Sequence, residues 1–459
     1  MINQLTEKQK DNLRQKNTIR HNARLDSAYQ EIDSMDYEYA ADIGLAYASP
    51  VRGVWNIVHI GTLVPGGHQV FVCPTSCLRG VVLTTAEMGR MDKMSTITVG
   101  EDNILEGDME EMLQRGVERI IEELPKKPRM MMIFTSCIHH FMAVNYKRVY
   151  KILAKEYPEI DFIDCYMDPI MRRTSPVVPS LWRQMHRALR PSEEKNSKQV
   201  NFIGNCFAHN PATCDLSAML KNAGIQYKEA NSCNTYEEFL AMGNSCCNFV
   251  FHGSGVVAAK DMQVRLGQPW RRMRPDYTYA HYDEDLTEAA NQLAIAPPTR
   301  AQLGAEKDAT EAAVQAALDT IGNTPVSIDY TAVDCPLALA IYLLRHGFNV
   351  ESVMIDNFTE SEDVFRELQA LRPELRIYET YGWNIRQMPR GHEGKILCIG
   401  QKSAYFMNSN YFVNEVENAG MYGYRGIRHL MDLMTDAFQN EKPMKELVQI
   451  KGWECHCCD

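Results

Sequence analysis

The chain has 459 residues, 45% of them hydrophobic and 23% charged, with a formal net charge of −11. At roughly 100 to 200 residues per domain that length predicts two to four domains, and three are expected here. The acidic balance disfavours non-specific binding to nucleic acid or anionic membranes. No run of about 18 apolar residues is present to span a bilayer, and the polar start, Met1 to Lys10, lacks the apolar core of a secretory signal, so the expectation is a soluble, cytoplasmic protein. Its 14 cysteines are then read as ligands, catalytic thiols or buried small hydrophobes before disulfides.

Residues 1–45 carry few apolar positions and predict a helical arm lying across a neighbouring surface. Val54 to Ile60 and Gln69 to Val72 are β-rich runs around Pro65-Gly66-Gly67, which predicts a hairpin delivering the chain into Cys73. Met109, Met112, Leu113, Val117, Ile120 and Ile121 fall at helical spacing within Glu106 to Glu123. Pro125 and Pro128 stop that helix, and Met130 to Phe134 reads as a buried strand leading to Cys137. A second unit begins with the strand Gln199 to Gly204 and the helix Asp215 to Asn222. It continues with the strand Cys247 to His252, then Gly253-Ser254-Gly255 opening the helix Val256 to Leu266. Leu293 to Glu311, with Pro297, Pro298 and Thr299, reads as a connector. The third unit holds the strands Pro325 to Asp329, Val350 to Ile355 and Ile396 to Gly400, and the helices Pro336 to His346, Phe365 to Leu371 and Gly426 to Phe438. Strand, Gly-containing loop and helix in series build parallel sheets. The predicted fold is therefore α/β, with three Rossmann-like parallel-sheet lobes around a central cleft. Its boundaries are a helical arm at 1–45, a first lobe at 46–197, a second at 198–292, a third at 293–440 and a Cys-rich tail at 441–459.

Cys73-Pro-Thr-Ser-Cys77 and Thr135-Ser-Cys137-Ile-His-His each follow a compact apolar run, which places the thiols where a strand opens into a loop. That position is where α/β proteins put chemistry, and soft thiolates converging there suit iron-sulfur clusters or zinc. The C-x-x-x-C spacing alone is a weak signal, because on a helix it only puts two residues on one face. His139 and His140 are further nitrogen donors in the same segment, each more often a surface or hydrogen-bonding residue. His252 precedes a Gly-Ser-Gly helix start that would attract an anionic group. Arg271, Arg272 and Arg274 form a cluster able to clamp carboxylates or phosphates, or a solvated or inter-subunit ion-pair group. Cys206 and Cys214 read as helix-packing thiols. Cys455-His-Cys457-Cys458 at the terminus is either a metal-binding tail or an air-sensitive one.

Taken together, these segments resemble component 1 of nitrogenase and the nitrogenase-like reductases. Cys73-Pro-Thr-Ser-Cys77 lies where that family has a Gly-Pro-x-Gly-Cys cluster loop. Gly107-Asp108, its helix and Phe134-Thr-Ser-Cys137-Ile are similar to the family's Gly-Gly-x-x-x-Leu helix and the Ser/Thr-x-Cys-Pro segment after it. Asn201 to Gly204 resembles the second-domain strand, Gly267-Gln-Pro-Trp270 a Gly-Ile-Pro motif, and Gly423-Tyr-Arg-Gly-Ile427 the start of the last helix.

The resemblance implies Cys73, Cys77 and Cys137 as ligands of an interface iron-sulfur cluster, 4Fe-4S or larger. It implies a homologous component 1 subunit as partner, in a homo- or hetero-oligomer, and an ATP-dependent iron protein that docks and injects single electrons. No Gly-x-x-x-x-Gly-Lys-Ser/Thr loop is present, consistent with ATP being bound elsewhere. Departures narrow the reading. Residues 40–60 hold no cysteine where nitrogen-fixing members have one, and Cys73 substitutes for it. His252 stands where the active cofactor's cysteine ligand belongs, and residues 409–425 contain no His. Both argue against nitrogen fixation and leave His252 as a contact for a substrate or a second cofactor, a metallocofactor or a tetrapyrrole. The expected function is electron relay to a reducible small molecule, with catalytic residues unassigned; the alternatives are a non-catalytic scaffold for metallocluster assembly and a zinc-binding structural protein.

Overall fold

The computed structural model describes residues 28–37, 47, 49, 51, 54, 56–168, 176–356, 358–388 and 391–448. Its strands are β1 Gln30–Glu31, β2 Gly67–Cys73, β3 Met94–Thr98, β4 Met130–Thr135, β5 Asp161–Tyr166, β6 Asn196–Ile203 and β7 Gln226–Lys228, followed by β8 Ser245–Val250, β9 Trp270–Arg272, β10 Val326–Asp329, β11 Val350–Ile355, β12 Arg376–Glu379, β13 Leu397–Ile399 and β14 Phe412–Val413. They form three sheets, ordered β3-β2-β4-β5, β7-β6-β8-β9 and β1-β12-β11-β10-β13-β14. Every pairing is parallel except that of β1 with β12. The expected α/β architecture of three parallel-sheet lobes is present.

Each sheet reverses its order once, between β2 and β4, between β6 and β8, and between β10 and β13. In open α/β sheets such a reversal leaves a crevice outside the carboxyl ends of the two strands, because their following loops turn to opposite faces. Cys73 ends β2, Cys137 follows β4 by two residues, and His252 follows β8 by two. The chemistry-bearing residues singled out above therefore stand at two of the three reversal points.

The lobes share their cores. Phe71, Phe134, Trp182 and Met185 of the first lobe pack in one apolar cluster with Ile203, Val250, Ala258 and Met262 of the second. On the far face Val200, Phe202 and Phe249 cluster with Ile328, Val353, Ile377 and Met431 of the third. The second sheet is thus covered on both faces, as parallel sheets are.

Three local expectations are corrected. The described part of the arm is not helical: Gln30–Glu31 pairs antiparallel with β12 and Ile32–Ser34 is a single 3-10 turn, with Ile32 and Met35 buried. The expected hairpin before Cys73 is a helix, Ile57–Gly61, followed by β2. The connector is largely helical, since Arg300–Ile321 forms a 22-residue helix behind a Thr299–Gln302 capping box. The helices Asp215–Asn222 and Val256–Leu266 match their expected limits.

Candidate functional site

Cys73 is fully buried at the end of β2, whose seven residues are all inaccessible. Pro74 then starts the helix Thr75–Glu87, since its fixed φ of −58° suits a helix entry. Cys77 lies exposed in the first turn of that helix, its N–H donating to the Pro74 carbonyl at 2.9 Å. On the neighbouring strand Val72 pairs with Thr135, and Phe71 and Phe134 stack at 4.5 Å, which locks the two strand ends side by side. Ser136 caps the short helix Cys137–Phe141, with its N–H donating to Nδ1 of His139 at 3.3 Å. Cys137 is half-buried at the start of this helix.

The three thiols influence one another. Burial first, and then negative charge on Cys77 and Cys137, pushes the Cys73 thiol up to about 12. A thiol in that position stays protonated at neutral pH unless a cation takes the proton's place. Among the described residues no group of three or more His, Cys, Asp or Glu side chains is gathered around a single metal-ion position. His139 is buried, which pushes its imidazole down to about 4. Because its Nδ1 accepts from Ser136, its other nitrogen carries the proton and has no lone pair for a metal.

The second crevice lies at the junction of lobes two and three. Gly204 and Gly255 let β6 and the turn 253–255 touch backbone to backbone: a Cβ on Gly204 would lie 2.6 Å from the Cα of Gly255. His252 caps the turn, its Nδ1 accepting from the Ser254 N–H at 3.2 Å, and its Nε2 faces Asp334 Oδ1 at 3.3 Å. Opposite stands a turn in which Glu417, Asn418, Ala419 and Gly420 all have positive φ. It is held by Glu417 and Asn418 N–H groups donating to the carbonyls of Thr331 and Ala332, each at 2.8 Å. Consecutive left-handed residues other than Gly are costly and persist where the surroundings over-determine them. Asn205, Cys206, His252, Asp334, Glu417 and Asn418 line the space between, whose volume is about 10 Å³, room for one water. Cys206 is buried there, its thiol pushed well up by that burial and then by Glu417.

The arginine cluster divides. Arg271 pairs with Glu288, and Arg274 binds Asp285 and Glu284, each at 2.6 Å. Nη1 of Arg272 is buried without a partner. Cys214 is a buried packing thiol, as expected. Cys206, likewise read as a packing thiol, is buried in the apolar cluster shared by the first two lobes and also borders the junction crevice, having followed Ile203-Gly204-Asn205 at a strand end as Cys73 does. The Cys455–Cys458 tail lies outside the described residues, and among the described residues no helix is long and apolar enough to cross a membrane.

A family profile described as "Nitrogenase component 1 type Oxidoreductase" matches residues 59–439. A solved structure described as "Nitrogenase Cp1 at pH 6.5" superposes with a TM-score of 0.61 at 14% identity, covering 86% of this chain and 93% of that one. A second, "Nitrogenase Cp1 at pH 5", gives a TM-score of 0.54 at 11% identity, covering 89% and 97%. A search of curated protein sequences finds no match.

Proposed function

The chain belongs to the nitrogenase component 1 type oxidoreductase family, and from that premise we propose that it is a cluster-bearing, nitrogenase-like reductase subunit of the cytoplasm. In this reading it takes single electrons from an ATP-dependent iron protein, works with a homologous subunit, and passes the electrons to a reducible small molecule or cofactor. The observation that carries the reading is the juxtaposition of Cys73, Cys77 and Cys137 at the carboxyl ends of two adjacent parallel strands, with Cys77 and Cys137 both near enough to raise the Cys73 thiol. Neighbouring thiols suit a polynuclear cluster, in which each iron takes a single protein thiolate.

Cys73, Cys77 and Cys137 would hold such a cluster, with any further ligand supplied by the partner subunit. When bound, an iron-sulfur cluster supplies one-electron transfer. The chain's own contribution is the environment. Phe71, Phe134 and Leu78 keep water from the Cys73 side, which is the burial that tunes a potential, while exposed Cys77 opens the other side toward a partner.

Anaerobic purification with iron, sulfide and zinc analysis and electron paramagnetic resonance tests the proposal. Iron and sulfide in near-equal amounts with a cluster signal are expected, lost in Cys137→Ala. Zinc without sulfide would overturn it, and an undiminished signal in the variant would remove Cys137 from the ligand set.

A second reading, a non-catalytic scaffold for metallocluster assembly, is favoured by the narrow lobe junction, where a space of about 10 Å³ admits neither a metallocofactor nor a tetrapyrrole without opening. Turnover of a substrate by the purified subunit with its reductase would count against it.

A further inference from the structure

Away from both crevices, three helices converge without filling the space between them. The helix Asp215–Asn222 of the second lobe, the connector helix Arg300–Ile321 and the last helix, Gly423–Gln439, border a cleft of about 730 Å³ that residues 295–299 also line. That volume falls within the roughly 300–1,000 Å³ of small-molecule sites. Local sequence keeps the cleft open. Ala218, Ala223 and Ala296 line it with side chains too short to reach across. Ala294, at φ +52°, turns the chain out of the helix Tyr279–Gln292 in a conformation costly for a residue with a Cβ. Pro297 and Pro298 then fix their own φ and bias the residue before them away from helix, so this stretch passes beside the cleft instead of coiling into it.

The charged groups of its wall neutralise one another. Asp215 accepts the Tyr424 N–H at 2.6 Å and pairs with Arg425 Nε at 3.2 Å, while Glu306 pairs with Arg425 at 3.3 Å and with Arg428 at 2.6 Å. Two carboxylates and two guanidinium groups leave no net charge, so a charged ligand would lose its water there without gaining a counter-ion. Most of the remaining wall is apolar, with Met219, Leu286, Ile295, Pro297, Pro298 and Leu303, and covering such surface is favourable by about 25 cal/mol per Å². One polar group stays available. Gln302 lines the cleft, and its Oε1 accepts both the N–H and the hydroxyl of Thr299, at 2.8 and 2.9 Å. The capping box thus fixes the amide and leaves Nε2 as a donor with no acceptor among the described residues.

We propose that this cleft binds a small uncharged ring compound bearing a carbonyl group, whose ring body lies against the apolar wall and whose oxygen accepts the hydrogen bond of Gln302 Nε2. A ring brings contact area with few rotors to freeze, and the proline, tyrosine and methionine side chains of the wall suit its faces. The neutral ion-pair network disfavours a free carboxylate or amine, and a wholly apolar ligand would strip the Gln302 donor of water without replacing it. Such a ligand touches the second lobe, the connector and the last helix together, so its binding stabilises their junction by mass action. The site depends neither on the thiols of the first lobe nor on electron transfer.

Prodan, an uncharged naphthalene ketone whose emission moves to the blue in apolar surroundings, is the probe. Titrated into the full chain, it should give a saturable blue shift. Acetylnaphthalene should displace it, and naphthoate should do so at least about tenfold more weakly, the effect of desolvating a charge without a partner. Ala218→Phe fills the cleft and should abolish the shift; Ala296→Trp, on the exposed loop, blocks the cleft from outside and serves where the first variant does not fold. Gln302→Glu keeps the capping box through its carboxylate oxygen but lacks the amide donor. It should weaken acetylnaphthalene about three- to tenfold, the effect of one hydrogen bond, and leave ethylnaphthalene unchanged. Absence of a saturable shift in the wild-type chain, an undiminished shift in the two blocking variants, or displacement by naphthoate as effective as by the ketone overturns the site. Equal weakening of acetylnaphthalene and ethylnaphthalene by Gln302→Glu overturns the carbonyl contact.

Discussion

Gly204→Ala separates backbone contact from backbone conformation at the lobe junction. Gly204 has φ +89°, and a Cβ there would lie 2.6 Å from Cα and 2.7 Å from N of Gly255. The obstacle is main chain, which no rotamer change relieves. Placing Ala in the left-handed region costs about 1–2 kcal/mol, and forcing an extra carbon into a closed backbone contact adds about 1–3 kcal/mol, for a sum of roughly 2–5 kcal/mol. Gly224→Ala is the matched control: its φ is +67° with no heavy atom within 4 Å of the added Cβ. It suffers only the conformational cost, partly offset by the lower entropy of the unfolded chain, or about 1 kcal/mol. Urea unfolding of both variants, followed by far-ultraviolet circular dichroism and extrapolated linearly, measures the difference. If Gly204→Ala is no less stable than Gly224→Ala, the close approach of β6 to that turn is wrong.

Two further outcomes follow from buried groups. The Asp215 carboxyl, capping the last long helix through the Tyr424 N–H at 2.6 Å, is pushed from 3.8 up to about 6, first by burial and then by Glu306. A folded-state value above the unfolded one means that the group's stabilising contribution is complete below about pH 4 and lost as the pH rises through 6. The gap corresponds to about 3 kcal/mol at 1.36 kcal/mol per pH unit. Asp215→Asn should flatten the stability profile between pH 4 and 6, and an unchanged slope in urea titrations would refute the assignment. In the reduced, cluster-free native chain, iodoacetamide should label exposed Cys77 rapidly and spare buried Cys73, Cys165, Cys214 and Cys398 until denaturation. Equal labelling of Cys73 and Cys77, read by peptide mass spectrometry, would contradict the packing of β2.

Elements with one dominant local signal were legible in the sequence. Met130 to Phe134 is a continuous apolar run between breakers and Val350 to Ile355 a mostly apolar one, and both are central strands. Val256 to Leu266 starts after Gly-Ser-Gly and ends at Gly267 in the left-handed conformation, so its sequence carries both stops. Val54 to Ile60 was misread because its β-branched residues outweighed a cap that propensity does not see: Asn56 Oδ1 accepts the Val58 N–H at 2.9 Å, and His59 Nδ1 accepts the Asn56 N–H at 3.3 Å. The same oversight hid the helix behind Thr299, whose hydroxyl accepts the Gln302 N–H at 3.2 Å. β1 could not be read at all, since two residues at the edge of a sheet whose other strands lie some 300 positions away carry no periodicity of their own.

The two crevices differ in legibility for a physical reason. Cys73 and Cys137 were found because each ends a strand that announces itself, and a strand that feeds a loop at a sheet's reversal point must deliver its next side chain to the crevice. Which strands neighbour one another is a tertiary fact, but a first lobe with few strong strands leaves little choice. The junction crevice draws Asn205, His252, Asp334 and Glu417 from four segments spread over more than 200 residues. Taken singly, each is an ordinary polar residue. The ion pair is what separates Arg271 and Arg274 from Arg272: Glu288, Glu284 and Asp285 lie on one helix that reaches the first two and not the third. Three arginines within four residues therefore look alike in sequence and divide in the fold into two, Arg271 and Arg274, that reach carboxylates of one helix and one, Arg272, that does not.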